Sequence, residues 1–278
     1  MNVRKTAGAV TILLLGAWAG YLYLNPGLRE AKIPTEVVFN AKKESQLLRQ
    51  VRKSCDVQDI SDFIAKQRLS VARYPTDPEH LRLLAEALLE RCATRIINKG
   101  FAPGTMLFDG ETPKDILSDI EEALGLVSKA RELGDETSEN WRIEASLLPY
   151  KIVSLPSAIM LARPITQALD KALELGKDNP HIHFALGCRK LLAPRYLGQD
   201  LEKAIEHLEF AAAGLPLDER PLIYAALATL LLGDRPRSTE LLELAAKRTP
   251  ANDFPAEVIQ RLKAGENDPF ARDVIPRH

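Results

Sequence analysis

The chain has little aromatic content, little cysteine and almost no net charge. Aromatic residues make up 6% of its 278 residues, which disfavours a core of aromatic and β-branched strands. Alternation of apolar and polar residues does not persist over any useful length, so the pattern offers no strands. A formal charge of −1 leaves no global basic field to draw in nucleic acid, and none is expected as a partner. The three cysteines, Cys55, Cys92 and Cys188, form no Cys-x-x-Cys pair, which excludes zinc ribbons and thioredoxin-like redox sites. Motifs with a mechanism are also missing. There is no Gly-x-Ser-x-Gly elbow, no His-Glu-x-x-His helix, no phosphate-cradling Gly-x-x-x-x-Gly-Lys loop and no dinucleotide glycine pattern. His181 and His183 are two apart, on different faces of one helix, and do not make a metal pair. His207 belongs to a second helix, and His80 reads as a solvated residue at a helix start. No catalytic residue, metal or cofactor is expected.

What is present is a repeat. Glu206, Leu208, Glu209, Ala211, Ala212 and Pro216 recur as Glu240, Leu242, Glu243, Ala245, Ala246 and Pro250, each 34 residues on. A fixed period of this size marks one helical hairpin repeated, and stacked hairpins build binding surfaces. The last hairpin is the clearest. Leu222, Ala225, Ala226 and Thr229 trace one face of a first helix, and Gly233-Asp234 makes the turn. Leu241, Leu242, Ala245 and Ala246 trace the second helix, which stops before Thr249-Pro250. The preceding hairpin starts near Pro180. Its connection, Ala193 to Asp200, is lengthened, and such insertions collect on one face of an array and are often functional.

Weaker echoes lie upstream. Ala172 to Gly176 repeats Ala130 to Gly134, and each glycine sits where a helix could end in a left-handed residue. Ala123, Val127 and Ala130 correspond to Ile165, Leu169 and Ala172, and to Ala204, Leu208 and Ala211. Their +4, +3 spacing puts each trio on one helical stripe. Glu79 to Arg95 reads as an amphipathic helix. Residues 98–113 are a long irregular insert carrying Phe101, Met106, Leu107 and Phe108; loops of this length inside compact arrays are often functional, and packing of these apolar side chains onto neighbouring helices is the equal alternative.

Residues 219–252 resemble a tetratricopeptide repeat. Gly233, Leu242, Ala245 and Pro250 match its second-half signature. Leu222, Ala225 and Ala226 take first-half positions, and Ser238 stands where a small alanine is usual. Residues 180–216 match with a lengthened turn. Residues 138–176 match more loosely, with Trp141 at the aromatic position and Ala145 at the small one. Residues 79–134 match only through their second helix. The resemblance implies an all-α, right-handed solenoid of stacked hairpins over 45–275, whose first helices line a concave groove, with no fixed activity. In that register Arg142, Tyr150, His181, Phe184, Arg220 and Ile223 face the groove, with Glu139 and Cys188 beside them. Aromatics and Arg are the residue types that anchor interfaces. Packing of Phe184 and Ile223 against the next hairpin is the competing reading.

The N-terminus has a different character. Ala7 to Leu24 is an uncharged stretch of 18 residues, about 27 Å long as a helix against a hydrocarbon core of about 30 Å. Trp18, Tyr21 and Tyr23 sit toward its far end, where amphipathic rings favour the interface. The expectation is a short tail (1–6), a transmembrane signal-anchor (7–24) and a linker (25–44) interrupted by Pro26, Gly27 and Pro34. A cleavable signal ending at Ala17-Trp18-Ala19 is the alternative, but the apolar run continues past that point. Arg4 and Lys5 on one side nearly balance Arg29, Lys32, Lys42 and Lys43 on the other. The tail is assigned inside and the repeat domain outside, in the periplasm of a bacterium. Cys55 and Cys92, placed on neighbouring helices, could form a disulfide there, although three buried free thiols are the favoured reading.

Together these features point to a membrane-anchored scaffold or accessory subunit that holds a membrane-associated protein partner in its groove. An extracytoplasmic small-molecule-binding or transporter-associated protein is the alternative, and an enzyme is disfavoured.

Overall fold

The computed structural model describes residues 40–99 and 112–270, without the side chains of 97–99. The chain divides into two units, Met1–Asn40 and Ala41–His278. The expected anchor at 7–24 lies outside the described residues, as do most of the linker and Phe101, Met106 and Phe108 of the insert. No helix among the described residues is long and apolar enough to cross a membrane.

Every regular element described is helical. In chain order these are α1 (Ala41–Arg52), α2 (Val57–Arg73), α3 (Pro78–Lys99), α4 (Lys114–Glu132), α5 (Ser138–Leu147), α6 (Leu155–Leu175), α7 (Pro180–Leu192), α8 (Leu201–Gly214), α9 (Arg220–Leu231), α10 (Arg235–Arg248) and α11 (Phe254–Lys263). A 3-10 turn, Leu148–Lys151, joins α5 to α6, and another, Arg195–Leu197, lies within the lengthened α7–α8 connection. Short polar side chains start most helices by accepting backbone N–H groups that have no intrahelical partner. Asp56 accepts from Gln58, Asn179 from His181, Asp200 from Lys203 and Asp234 from Arg237.

Consecutive helices pair as antiparallel hairpins: α1/α2, α3/α4, α5/α6, α7/α8 and α9/α10, with α11 packed on α10. The first helices also touch in series, α1 on α3, α3 on α5, α5 on α7 and α7 on α9. They form one inner row, and the second helices lie behind them. The +4, +3 stripes are the seams of this packing. Ala123, Val127, Ala130, Ala172, Ala204, Leu208 and Ala211 are fully buried, and Ile165 and Leu169 nearly so. The alanines at the ends of two stripes and at one end of the third let the paired helices approach closely, and burying each Leu, Ile or Val contributes roughly 1.5–3 kcal/mol. Ser238 is fully buried as well, and its hydroxyl donates to the Ala226 carbonyl across the α9/α10 hairpin at 2.8 Å.

Three local expectations need correction. Helix α1 begins at Ala41, inside the stretch assigned to the linker, because Ala41-Lys42-Lys43-Glu44 are all good helix formers. Cys55 is not on a helix: it occupies the α1–α2 turn in the left-handed region, with φ 53°. It and the other two cysteines are free thiols. Gly134 and Gly233 do end their helices left-handed, at φ 97° and 91°, but Gly176 has φ −155°, outside the left-handed region. Gly176 is small for another reason. A Cβ there would lie 2.8 Å from the Ser138 hydroxyl at the start of α5.

Candidate functional site

The inner row of first helices, together with parts of α6 and α11, lines a partly open cavity of about 350 Å3. Arg142 on α5, Tyr150 on the following 3-10 turn, His181 and Phe184 on α7, and Arg220 and Ile223 on α9 all line it. The six groove residues expected from sequence thus converge, from three hairpins, on one space. Cys188 lines it too. On α7 the lining positions His181, Phe184, Ala185, Cys188 and Leu192 follow helical spacing, so one stripe of that helix supplies much of one wall. Packing between hairpins is real as well. The Phe184 ring meets Tyr224 of α9 edge-on at 5.6 Å, and the Arg220 guanidinium stands 5.5 Å from the Phe184 ring centre. Ile223 is buried, with 4% of its surface exposed.

Behind the lining residues Glu90, Arg142 and Arg220 lies a layer of buried ion pairs. Glu86 and Glu90 lie four apart on α3 and so share a face. Arg142 donates to Glu86 at 2.9 Å and to Glu139 at 2.6 Å. Arg220 pairs with Glu90 at 2.9 Å and with Asp218 at 2.7 Å. On α1, Arg52 donates to the Leu217 carbonyl at 2.6 Å and to Glu219 at 3.3 Å, and lies 3.5 Å from Asp218. Glu219, with its side chain fully buried, also accepts from Thr249 at 2.7 Å and Asn252 at 3.1 Å. These contacts join α1 and α3 to the α8–α9 connection and to α9. The front of the array is therefore clasped to its last hairpin.

Titration behaviour follows from this layer. Burial opposes ionisation of Glu139, but Arg142 and His181 outweigh it and hold the carboxyl at about 2. Burial likewise opposes the charge on Asp218, and Arg220 and Arg52 keep it well below the usual carboxylate range. Glu90 is lowered against its burial by Arg220, whereas burial raises Glu86 despite Arg142. His181 is pushed down to about 4, first by burial and then by Arg142. It is neutral at physiological pH, and its Nε2 is buried with no hydrogen-bond partner. Burial raises the Cys55 thiol to about 11 and the Cys92 thiol to about 12, so both stay protonated. These are unreactive thiols, not nucleophiles.

No protein-family model matches this chain, and no curated protein matches it. Among solved structures it is similar to YrrB, described as a TPR protein with an unusual peptide-binding site. The two share 14% identity at a TM-score of 0.39, over 80% of this chain and 100% of that one. It is also similar to MamA, at 16% identity and a TM-score of 0.37, over 75% of this chain and 93% of that one. A second MamA structure gives 15% identity and 0.36, over 74% and 92%. These superpositions are loose, and the helical array described above rests on its own packing.

Several site residues escape sequence reasoning. Glu86 and Glu90 lie on α3, read from sequence as an amphipathic helix, and nothing in its pattern marks them as ion-pair partners. Arg52 sits 165 positions from its hydrogen-bond partner Leu217. Arg189 lines the cavity and donates to the Leu197 carbonyl at 3.3 Å. The available signal was the lengthened connection after α7. Its Ala193, Pro194 and Leu197 fold back as part of the cavity wall. The other insert, 98–113, follows Ile96, which lines the cavity, and near its end Thr112 donates to the Tyr150 carbonyl at 2.9 Å.

Proposed function

We propose that this chain is a non-catalytic helical-repeat binding protein, tethered to a membrane through residues 7–24, that holds a protein partner near that membrane. Its repeat domain faces the periplasmic side of a bacterial inner membrane, and the concave face of its hairpins is the binding surface. One observation carries the reading. Arg142, Tyr150, His181, Phe184, Arg220 and Ile223, drawn from three hairpins, converge on one largely apolar cavity. Arg and aromatic side chains in such positions are typical interface anchors. A tether raises the local concentration of membrane-bound partners, so a modest intrinsic affinity suffices. The test is capture of partners from solubilised membranes with the full chain and its Phe184→Ala variant, both checked for helical content. Loss of a specific partner in the variant is expected, and an unchanged set of partners would sink the concave-face reading. Protease accessibility in sealed vesicles checks the side of the membrane.

A second reading, an enclosed site for a small apolar ligand, is favoured by the walls themselves. Arg52 and the α8–α9 connection clasp the front of the array, and the 193–200 connection covers the cavity beside α7. The space of about 350 Å3 falls within the range of roughly 300–1,000 Å3 usual for small-molecule sites. Solvent extraction of the purified chain, followed by mass spectrometry, tests it: a stoichiometric apolar compound is the expected result.

A further inference from the structure

Three arginines border the cavity, and they differ in one respect. Arg142 and Arg220 are each held by two carboxylates, so neither has charge to spare. Arg189, in the last turn of α7, donates a single hydrogen bond, to the Leu197 carbonyl at 3.3 Å. No carboxylate among the described residues pairs with it. A guanidinium has five N–H donors in a planar fork suited to a carboxylate, and most of those on Arg189 are unused. Burial lowers its pKa with no neighbouring charge acting against the shift. A part-buried guanidinium with no ion partner among the described residues keeps donors free for an anion, and the C-terminal end of α7 supplies only a partial negative charge. The space beside it is apolar, walled by Ile165 and Leu169 of α6, Leu192 of α7, Ile223 of α9 and Phe254 of α11.

We infer that this cavity binds an amphipathic monocarboxylate, its apolar body between α6, α7 and α9 and its carboxylate on the Arg189 guanidinium. The inference rests on the enclosed-ligand reading and adds the chemical class of the ligand. One uncompensated positive charge matches one negative charge. The carboxylates of Glu90, in the lining, and of Asp218, behind Arg220, disfavour a second anion beside that arginine.

The probes are octanoate and octanol, titrated calorimetrically into the full chain in micelles, with the heat of empty micelles subtracted. Octanoate is expected to bind more tightly than octanol. Arg189→Gln is expected to weaken octanoate roughly tenfold to a hundredfold, the loss of a charge-assisted bidentate contact, and to leave octanol unchanged. Arg189→Lys, which keeps the charge and loses the fork, is expected to fall between. Ala162→Phe, which narrows the cavity beside α6, is expected to abolish binding of both probes. Equal binding of the two probes with no effect of Arg189→Gln overturns the role of Arg189 and leaves an apolar cavity site standing. Failure of both probes to bind, or binding untouched by Ala162→Phe, overturns the enclosed site itself.

Discussion

Arg52→Met is expected to cost this fold roughly 3–5 kcal/mol, the usual penalty for removing one partner from a buried ion pair. The guanidinium is 6% exposed and the Glu219 carboxylate 0% exposed, so water cannot take over the lost contact. Three contacts vanish together: Glu219 at 3.3 Å, the Leu217 carbonyl at 2.6 Å and Asp218 at 3.5 Å. The compensation that remains sets the lower end of the range. Glu219 keeps its bonds from Thr249 and Asn252, and Asp218 keeps Arg220. About 3 kcal/mol is a large fraction of the roughly 5–15 kcal/mol that stabilises an ordinary domain. Urea unfolding of the full chain followed by circular dichroism reads the loss as a lower midpoint at unchanged slope. Amides of α1 and of residues 215–219 should exchange faster in the variant, because Arg52 clasps those segments together. Arg68→Ala is the internal control. That pair with Glu122 is largely solvent-exposed and is expected to contribute at most about 1 kcal/mol. The double variant Arg52→Met, Glu219→Gln should recover part of the loss, since it no longer strands a buried charge. If Arg52→Met costs no more than Arg68→Ala, the clasp does not hold the array together and the reasoning fails.

Gly187→Ala should destabilise the protein despite alanine's better helix propensity. The new Cβ would lie 2.5 Å from Leu208 Cγ and 3.2 Å from the Ala204 carbonyl oxygen, so overpacking of roughly 1–3 kcal/mol exceeds a propensity gain of about 1 kcal/mol. A thermal midpoint at or above wild type would refute this. Acid sensitivity should trace in part to His181. Its pKa falls from 6.5 to about 4 on folding, so the unfolded chain takes up the proton first as pH drops. Its stabilising contribution is complete above pH 6.5 and is lost as pH falls toward 4, a change of about 3 kcal/mol. Glu139, carried from 4.5 to about 2, adds its own loss only below that window. Unfolding measured from pH 7 to 4.5 should show a slope that His181→Gln flattens, and an unchanged slope would rule His181 out.

Periodicity made the helices and their seams legible from sequence. The stripe Ala204, Leu208, Ala211 needs only the geometry of one helix and the rule that its apolar face is covered, and all three residues are fully buried. The six groove positions came from the register that the repeat resemblance implies, and the structure places all six along one cavity. Gly176 and Cys55 mark where local rules stopped: the glycine serves close approach to Ser138, and the cysteine takes a left-handed turn. What only the tertiary structure decided is which charges meet. Glu90 and Arg220 are 130 positions apart, Arg52 and Leu217 are 165 apart, and no pattern within a helix encodes either contact. The curvature that brings the front of the array to its last hairpin sums small rotations at every helix interface. That sum set the six expected groove residues around one cavity and left Arg189 beside it with no carboxylate partner among the described residues.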